Sequence, residues 1–244
     1  MDDAHRLDTL RIEGAAAVRA AEGRLSTPVP HLEWTVGEVL EHLGGVHRRF
    51  ARCLRGEVET WPDPSSVVGP TDGLAGWAQD SLAEVVAALR AADLDTDYVT
   101  WAGSRDGHWV LRRLANETTL HRWDIEAATG PPAELAPELG LDVVDEFLTV
   151  IVDDRGLAGV DDAASRDGTT LHLHATDHDD GEWFVTVTGC GLDVAHRHDK
   201  GEVALRGPAS HLALWISGRF PASRLEAFGD PVLVDWWDRA FRFD

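Results

Sequence analysis

Glu117, His121 and Asp124 lie four and three residues apart in the stretch Asn116-Glu117-Thr118-Thr119-Leu120-His121-Arg122-Trp123-Asp124. On a helix those spacings put all three on one side. Val110, Leu114 and Ala128 fall on the same side, so ionisable groups occupy places that an amphipathic helix gives to apolar side chains. Groups turned inward in this way are costly unless they are satisfied by each other, by water or by a bound cation. A Glu and a His four apart are commonly a surface pair worth a few tenths of a kcal/mol. The place on the apolar stripe, the continuation to Asp124 and a further inward histidine, His42, argue for chemistry instead.

His42 shares a stripe with Val39, Val46 and Phe50 on a second predicted helix. Two imidazoles and one carboxylate make a ligand set for a divalent metal with positions left open for water or substrate. Zinc is the default, with nickel, iron and manganese left open. Asp124 reads either as the carboxylate that holds a ligating His in its tautomer or as an ion-pair partner of Arg122 or Arg113. His47 follows His42 by five residues, about 140° round a helix, and is expected at the rim rather than in the site. Gly44-Gly45 weakens this helix and implies either the close approach of a backbone or ligand, or tight helix packing.

Elsewhere, His172 and His174 alternate on a predicted strand with His178, His196 and His198 near by, a pattern expected on the wet face of an antiparallel sheet. Cys53 and Cys190 have no metal or redox spacing and read as small hydrophobes. No glycine-rich nucleotide motif and no serine nucleophile elbow occurs.

The elements that must position these residues follow from periodicity. A helix is predicted from about Ala4 to Glu22. A proline-rich extended segment over 26–33 follows, and then a capping box, Thr35 with Glu38, opens a helix to about Arg55. Residues 57–71 are a long connection, and Asp72 is expected to cap a third helix to about Ala92. Residues 93–107 read as a loop with a short strand at 98–101. The helix bearing Glu117 runs from about His108 to Thr129, stopped by Gly130-Pro131-Pro132, and Pro137 opens another helix. Residues 156–168 read as a linker. Period-two alternation then predicts strands at 169–176, 182–188, about 192–196 and 202–205, with helices at about 208–217 and 231–241. The expected domains are 1–155, up-and-down helices, and 156–244, a small α+β unit.

The 244 residues carry 43 acidic against 22 basic side chains, a formal charge of −21, which disfavours nucleic acid and anionic membranes as partners. No stretch approaches the ~20 apolar residues of a membrane span, and the N-terminus lacks a signal pattern. A cytoplasmic protein is expected, as a monomer or homodimer.

The run Trp34-Thr35-Val36-Gly37-Glu38-Val39-Leu40-Glu41-His42-Leu43, the Glu117 to Asp124 stretch, and the run from Gly207 to Arg219 together resemble the mycothiol-dependent maleylpyruvate isomerase family of actinobacteria. The resemblance implies a DinB-like four-helix bundle followed by a small α/β domain. It places metal ligands on His42, Glu117 and His121 and gives Arg219, after Ser217-Gly218, a role beside the active site. There Arg219 either reaches an anionic substrate or thiol, or makes a structural helix-end contact. Asp124 and Arg219 are thus expected to assist catalysis. The implied chemistry is a zinc-bound low-molecular-weight thiol, mycothiol, attacking a small electrophile as an S-transferase or cis–trans isomerase. A metal-dependent hydrolase using metal-bound water and a non-catalytic ligand-binding protein on the same scaffold are the other readings.

Overall fold

The computed structural model describes residues 1–152, 156–157, 160–189 and 191–241. Cys190 therefore lies outside the described residues. The chain divides into two compact units, Met1–Ala133 and Glu134–Asp244.

The first unit is a bundle of four helices: α1 (Asp3–Ala21), α2 (Val36–Leu54), α3 (Leu74–Ala91) and α4 (Gly107–Thr129). α4 packs on α1 and α2, while α3 packs on the same two, closing a four-sided core. Leu10, Phe50, Val85, Val110 and Leu114 form one part of that core, and Val36, Val39, Leu40 and Ile125 another. The capping box forms as the sequence predicts, with Glu38 N bonded to Thr35 Oγ1 and Glu38 Oε2 accepting from Thr35 N at 2.7 Å. Asp72 does not cap α3. Gly73 occupies that position at φ 78°, in the left-handed region that favours glycine, and offers no side-chain cap.

Two further differences appear before α4. Residues 93–107 contain a hairpin, β1 (Asp97–Thr100) against β2 (Gly103–Asp106), where a single short strand was expected. Its tight turn uses Gly103 at φ 83°, and the polar strand Gly103–Asp106 carries no apolar alternation to reveal it. Asp106 then caps α4 by accepting from Trp109 N at 2.7 Å. The Gly44-Gly45 pair resolves toward helix packing: a Cβ on Gly44 would lie 2.1 Å from the Trp77 ring of α3.

The second unit begins with α5 (Pro137–Glu146), which continues as a π turn over Phe147–Ile151. The expected boundary at 155 had left this helix in the first domain. Its partner is instead α6 (Ala209–Ile216), approached so closely that a Cβ on Gly140 would meet the Ala209 carbonyl carbon at 2.7 Å. The five-stranded mixed sheet comprises β3 (Thr170–Ala175), β4 (Glu182–Thr188), β5 (Gly191–Ala195), β6 (Val203–Gly207) and β7 (Glu226–Gly229), ordered β5-β4-β3-β6-β7. β3 and β6 are parallel and the other pairs antiparallel. β7 was not expected, because Glu226–Gly229 is exposed throughout and shows no alternation. α7 (Pro231–Ala240) buries Trp236 and Trp237 completely, and Trp236 Nε1 donates to Asp162 at 2.7 Å. That bond folds Asp162, from the expected linker, onto the second unit. Among the described residues no helix is long and apolar enough to cross a membrane.

Candidate metal centre

α4 brings Glu117 and His121 to the interior, as their place on the stripe predicts. The middle of this helix is enclosed nearly all round, with Asn116, Thr118, Thr119 and Asp124 all at 0% exposure. α2 presents His42 to the same point. His42 Nε2 lies 2.9 Å from Glu117 Oε1, and His121 Nε2 lies 3.3 Å from the same oxygen. The two imidazole rings meet edge-on with centroids 4.9 Å apart.

The groups behind these three define which atoms they offer. His121 Nδ1 pairs with Asp124 Oδ2 at 2.8 Å, leaving Nε2 toward Glu117. Arg113, one turn back on α4, donates from Nη2 to Glu117 Oε2, which leaves Oε1 toward the histidines. Asp124 therefore sits behind His121 as its support and is not a member of the triangle. Its other oxygen, Oδ1, takes His31 Nε2 at 2.6 Å. Arg122, the other partner considered for Asp124, holds Glu13 at 2.6 Å and Glu126 at 2.7 Å.

Two contributors were not identified from sequence. His31 and Trp34 lie in the segment before α2, which is tied back by Val29 N to Trp34 O at 2.9 Å and Gly37 N to Leu25 O at 2.8 Å. Trp34 stands over both histidines, with centroids 5.2 Å from His42 and 6.4 Å from His121, and is 38% exposed. It thus forms the solvent edge of the site. Only its adjacency to the capping box hinted at this, and nothing local links His31 to a carboxylate 93 residues away.

The electrostatics follow from burial set against charge. Burial alone would raise the Glu117 carboxyl, but Arg113 and His121 outweigh it and hold it well below the carboxylate range. Burial opposes a charged His121, yet Glu117 and Asp124 overcome it and hold the ring up to about 9. For His42 burial prevails over its bond to Glu117 and lowers it. The triangle therefore pairs one carboxylate with one cationic and one neutral ring.

The donor set fits a divalent ion. Ligands bound at ~2.1 Å in a tetrahedral site stand roughly 3.4 Å from one another, and the three donor atoms here lie within 4.8 Å of each other. The carboxylate behind His121 is the support such ligands usually have.

Other expected residues lie elsewhere. His47 is not a rim residue: it is 2% exposed inside the bundle, with Nε2 2.9 Å from Thr118 Oγ1. Helices α1, α3 and α4 surround α2, so a 140° rotation away from His42 still points into the protein. Cys53 is buried on α2, and burial pushes its thiol up to about 11. Arg219 belongs to the second unit, where its backbone N–H bonds Leu214 O at 2.7 Å and Nη1 donates to Ser217 O at 2.7 Å, closing the end of α6.

Comparison with known proteins agrees with this architecture. The profile of the mycothiol maleylpyruvate isomerase N-terminal domain matches residues 7–126, and that of the MDMPI C-terminal domain matches residues 138–235. A crystal structure of a mycothiol-dependent maleylpyruvate isomerase superposes with a TM-score of 0.62 at 15% identity, covering 93% of each chain. A histidine-to-alanine mutant of that isomerase gives 0.65 at 14% identity over the same share of each. At such identity the likeness carries the fold alone. Uncharacterized protein Rv0738 of Mycobacterium tuberculosis is 28% identical over 127 residues, which is 52% of this chain and 65% of that protein. The chain thus spans less than two thirds of that relative's length. With both domain profiles matched in order and the fold shared over nearly all its length, the chain belongs to the mycothiol maleylpyruvate isomerase family.

Proposed function

We propose that the chain is a mycothiol-dependent metalloenzyme, a thiol S-transferase or cis–trans isomerase, with His42, Glu117 and His121 holding a divalent ion, Zn²⁺ first among candidates. The observation that carries this reading is the convergence of two ring nitrogens and one carboxylate oxygen from two helices, within 4.8 Å of one another. A divalent ion held there would supply the charge that lowers the pKa of a low-molecular-weight thiol, making thiolate available at neutral pH.

The chain's own residues do the rest. Asp124 keeps His121 in the tautomer that frees Nε2, and Arg113 occupies the Glu117 oxygen turned away from the histidines. Binding an ion would require His121 to give up its proton, and two neutral imidazoles with one carboxylate would then leave a single positive charge at a divalent centre, which would favour an anionic sulfur ligand. Trp34 offers an aromatic face at the mouth against which a small electrophile packs. Cys53, with its raised thiol pKa and burial, is unsuited to act as nucleophile, and the sulfur proposed here is that of a small-molecule thiol. The family membership and the mycothiol dependence of the solved isomerase support the thiol; they leave the electrophile open. Small molecules in the cytoplasm, rather than nucleic acid or membrane, are the proposed partners.

Metal analysis of the purified chain beside a His42→Ala, Glu117→Ala, His121→Ala variant tests the centre; unchanged binding at this site would sink it. Turnover of a model electrophile with and without mycothiol tests the cofactor. Equal rates without thiol would point to metal-bound water and a hydrolase instead.

A further inference from the structure

The second unit holds another convergence of ligand-type side chains. Antiparallel pairing sets His174 on β3 directly opposite Glu182 on β4, and His172 is two residues back on the same face. His198 comes from the loop between β5 and β6. That loop is fixed at its far end, where Glu202 N bonds Thr170 Oγ1 and Glu202 Oε2 accepts from Thr170 N, both at 3.0 Å. Gly201 approaches β3 so closely that a Cβ there would lie 2.9 Å from His172 N. The loop thus shelters part of the histidine face that was expected to be solvated: His172 is only 6% exposed, while the His174 side chain remains 30% exposed.

A single carboxylate stands among the three rings and bonds two of them. Glu182 Oε1 is 2.7 Å from His174 Nδ1, and Glu182 Oε2 is 2.9 Å from His198 Nδ1. His172 Nε2 is 3.7 Å from Oε2, beyond hydrogen-bond reach, and has no hydrogen-bond partner although buried. An orphaned buried nitrogen is costly, and this one is aimed at the point where the other donors meet. The ring centroids of His172 and His198 are 4.8 Å apart, so charging both to match Glu182 would place like charges together. A cation removes both difficulties at once, and the four donor atoms lie within 4.8 Å of one another.

We propose that His172, His174, Glu182 and His198 form a second metal site, for a divalent transition ion of the Zn²⁺ class, in the C-terminal unit. Three imidazoles and one carboxylate are a donor set that Zn²⁺ accepts with tetrahedral geometry. Four protein ligands fill such a site, so its role is to fasten the 196–202 loop across β3 and β4 rather than to present an open position to substrate. His178 and His196 stay outside it: His178 Nδ1 accepts from Asp180 N at 3.1 Å, and His196 Nε2 pairs with Asp145 at 2.9 Å.

The test uses four forms of the full chain, each treated with chelator and then titrated with Zn²⁺ against a competing chromophoric chelator. These are wild type, the His42/Glu117/His121 triple alanine variant, His172→Ala with His174→Ala, and all five substitutions together. The triple variant is expected to take up one equivalent and the five-fold variant none. Glu182→Gln and His198→Ala, separately in the triple background, should each weaken uptake at least tenfold, with circular dichroism reporting that the fold persists. Zn²⁺ should also raise the thermal midpoint of the triple variant and not that of the five-fold variant. A folded triple variant that takes up no Zn²⁺, or whose uptake is indifferent to Glu182→Gln and His198→Ala, overturns the proposal. The N-terminal centre is read separately: its failure appears as no uptake by the His172/His174 variant, whatever the triple variant does.

Discussion

Asp124 offers the sharpest test of how the first centre is built. It is wholly buried and divides its oxygens between His121 Nδ1 at 2.8 Å and His31 Nε2 at 2.6 Å. Asp124→Asn keeps the volume and still accepts from His121 through Oδ1, while its amide can donate to His31. Only the charge behind the ligand is lost. Asp124→Ala removes both bonds, releases the tautomer of His121 and leaves two imidazole nitrogens without their partner. Removing such supports typically lowers metal affinity 10–100-fold, which is about 1.4–2.7 kcal/mol. The Asn variant should fall near the lower figure and the Ala variant near the upper. Alanine should also lower folding stability by about 1–3 kcal/mol for the buried nitrogens it strands. Zn²⁺ competition assays, run with His172 and His174 already replaced by alanine so that one site reports, give the affinities; urea unfolding gives the stabilities. Equal affinity in all three proteins would refute a role for Asp124 through His121. A loss greater than that of His121→Ala would make Asp124 a ligand in its own right.

Further expectations are independent of metal. His47 is buried and held neutral, its pKa pushed down from 6.5 to about 4 by burial, so the unfolded chain binds its proton more readily. This contribution to stability is complete above pH 6.5 and falls by roughly 3 kcal/mol as pH drops to about 4; urea midpoints of wild type and His47→Gln with the same pH slope would contradict it. Gly44→Ala drives a methyl into the Trp77 ring and should cost about 1–3 kcal/mol. Gly45→Ala meets only Val67 O at 3.4 Å and should be neutral or stabilising by up to ~1 kcal/mol; thermal midpoints in the reverse order would defeat the packing argument. Arg122→Ala strands Glu13 and Glu126 beside a 3% exposed position and should cost roughly 3–5 kcal/mol, read by denaturant unfolding.

Local chemistry made much of this molecule legible in sequence. The capping box, the proline and glycine stops and the 3.6-residue apolar period place α1, α2 and α4 close to their observed ends, and strict alternation marks β3 and β4. Elements without such signals escaped. β2 and β7 are exposed strands with no apolar alternation, held by pairing with β1 and β6. α5 has an ordinary amphipathic pattern that fits either unit, and only the fit of Gly140 on Ala209 decides which.

The site divides in the same way. Glu117, His121 and Asp124 fall within about two turns of one helix, so helical geometry determines from sequence alone that they share a side. Inward orientation, the meeting with His42 and the separation of ligands from support depend on residues tens of positions away. Arg113 and Asp124 each engage the atom that the centre does not use, and His31 closes the chain of bonds from 93 residues before Asp124. The histidines of β3 make the point most plainly. Alternation correctly put His172 and His174 on one face, but the burial of His172 was decided by a loop lying beside it, a contact with no local signature. Spacing along a helix or strand determines which side chains are neighbours; tertiary packing alone decides what they face, because burial and charge pairing are set by segments distant in the chain.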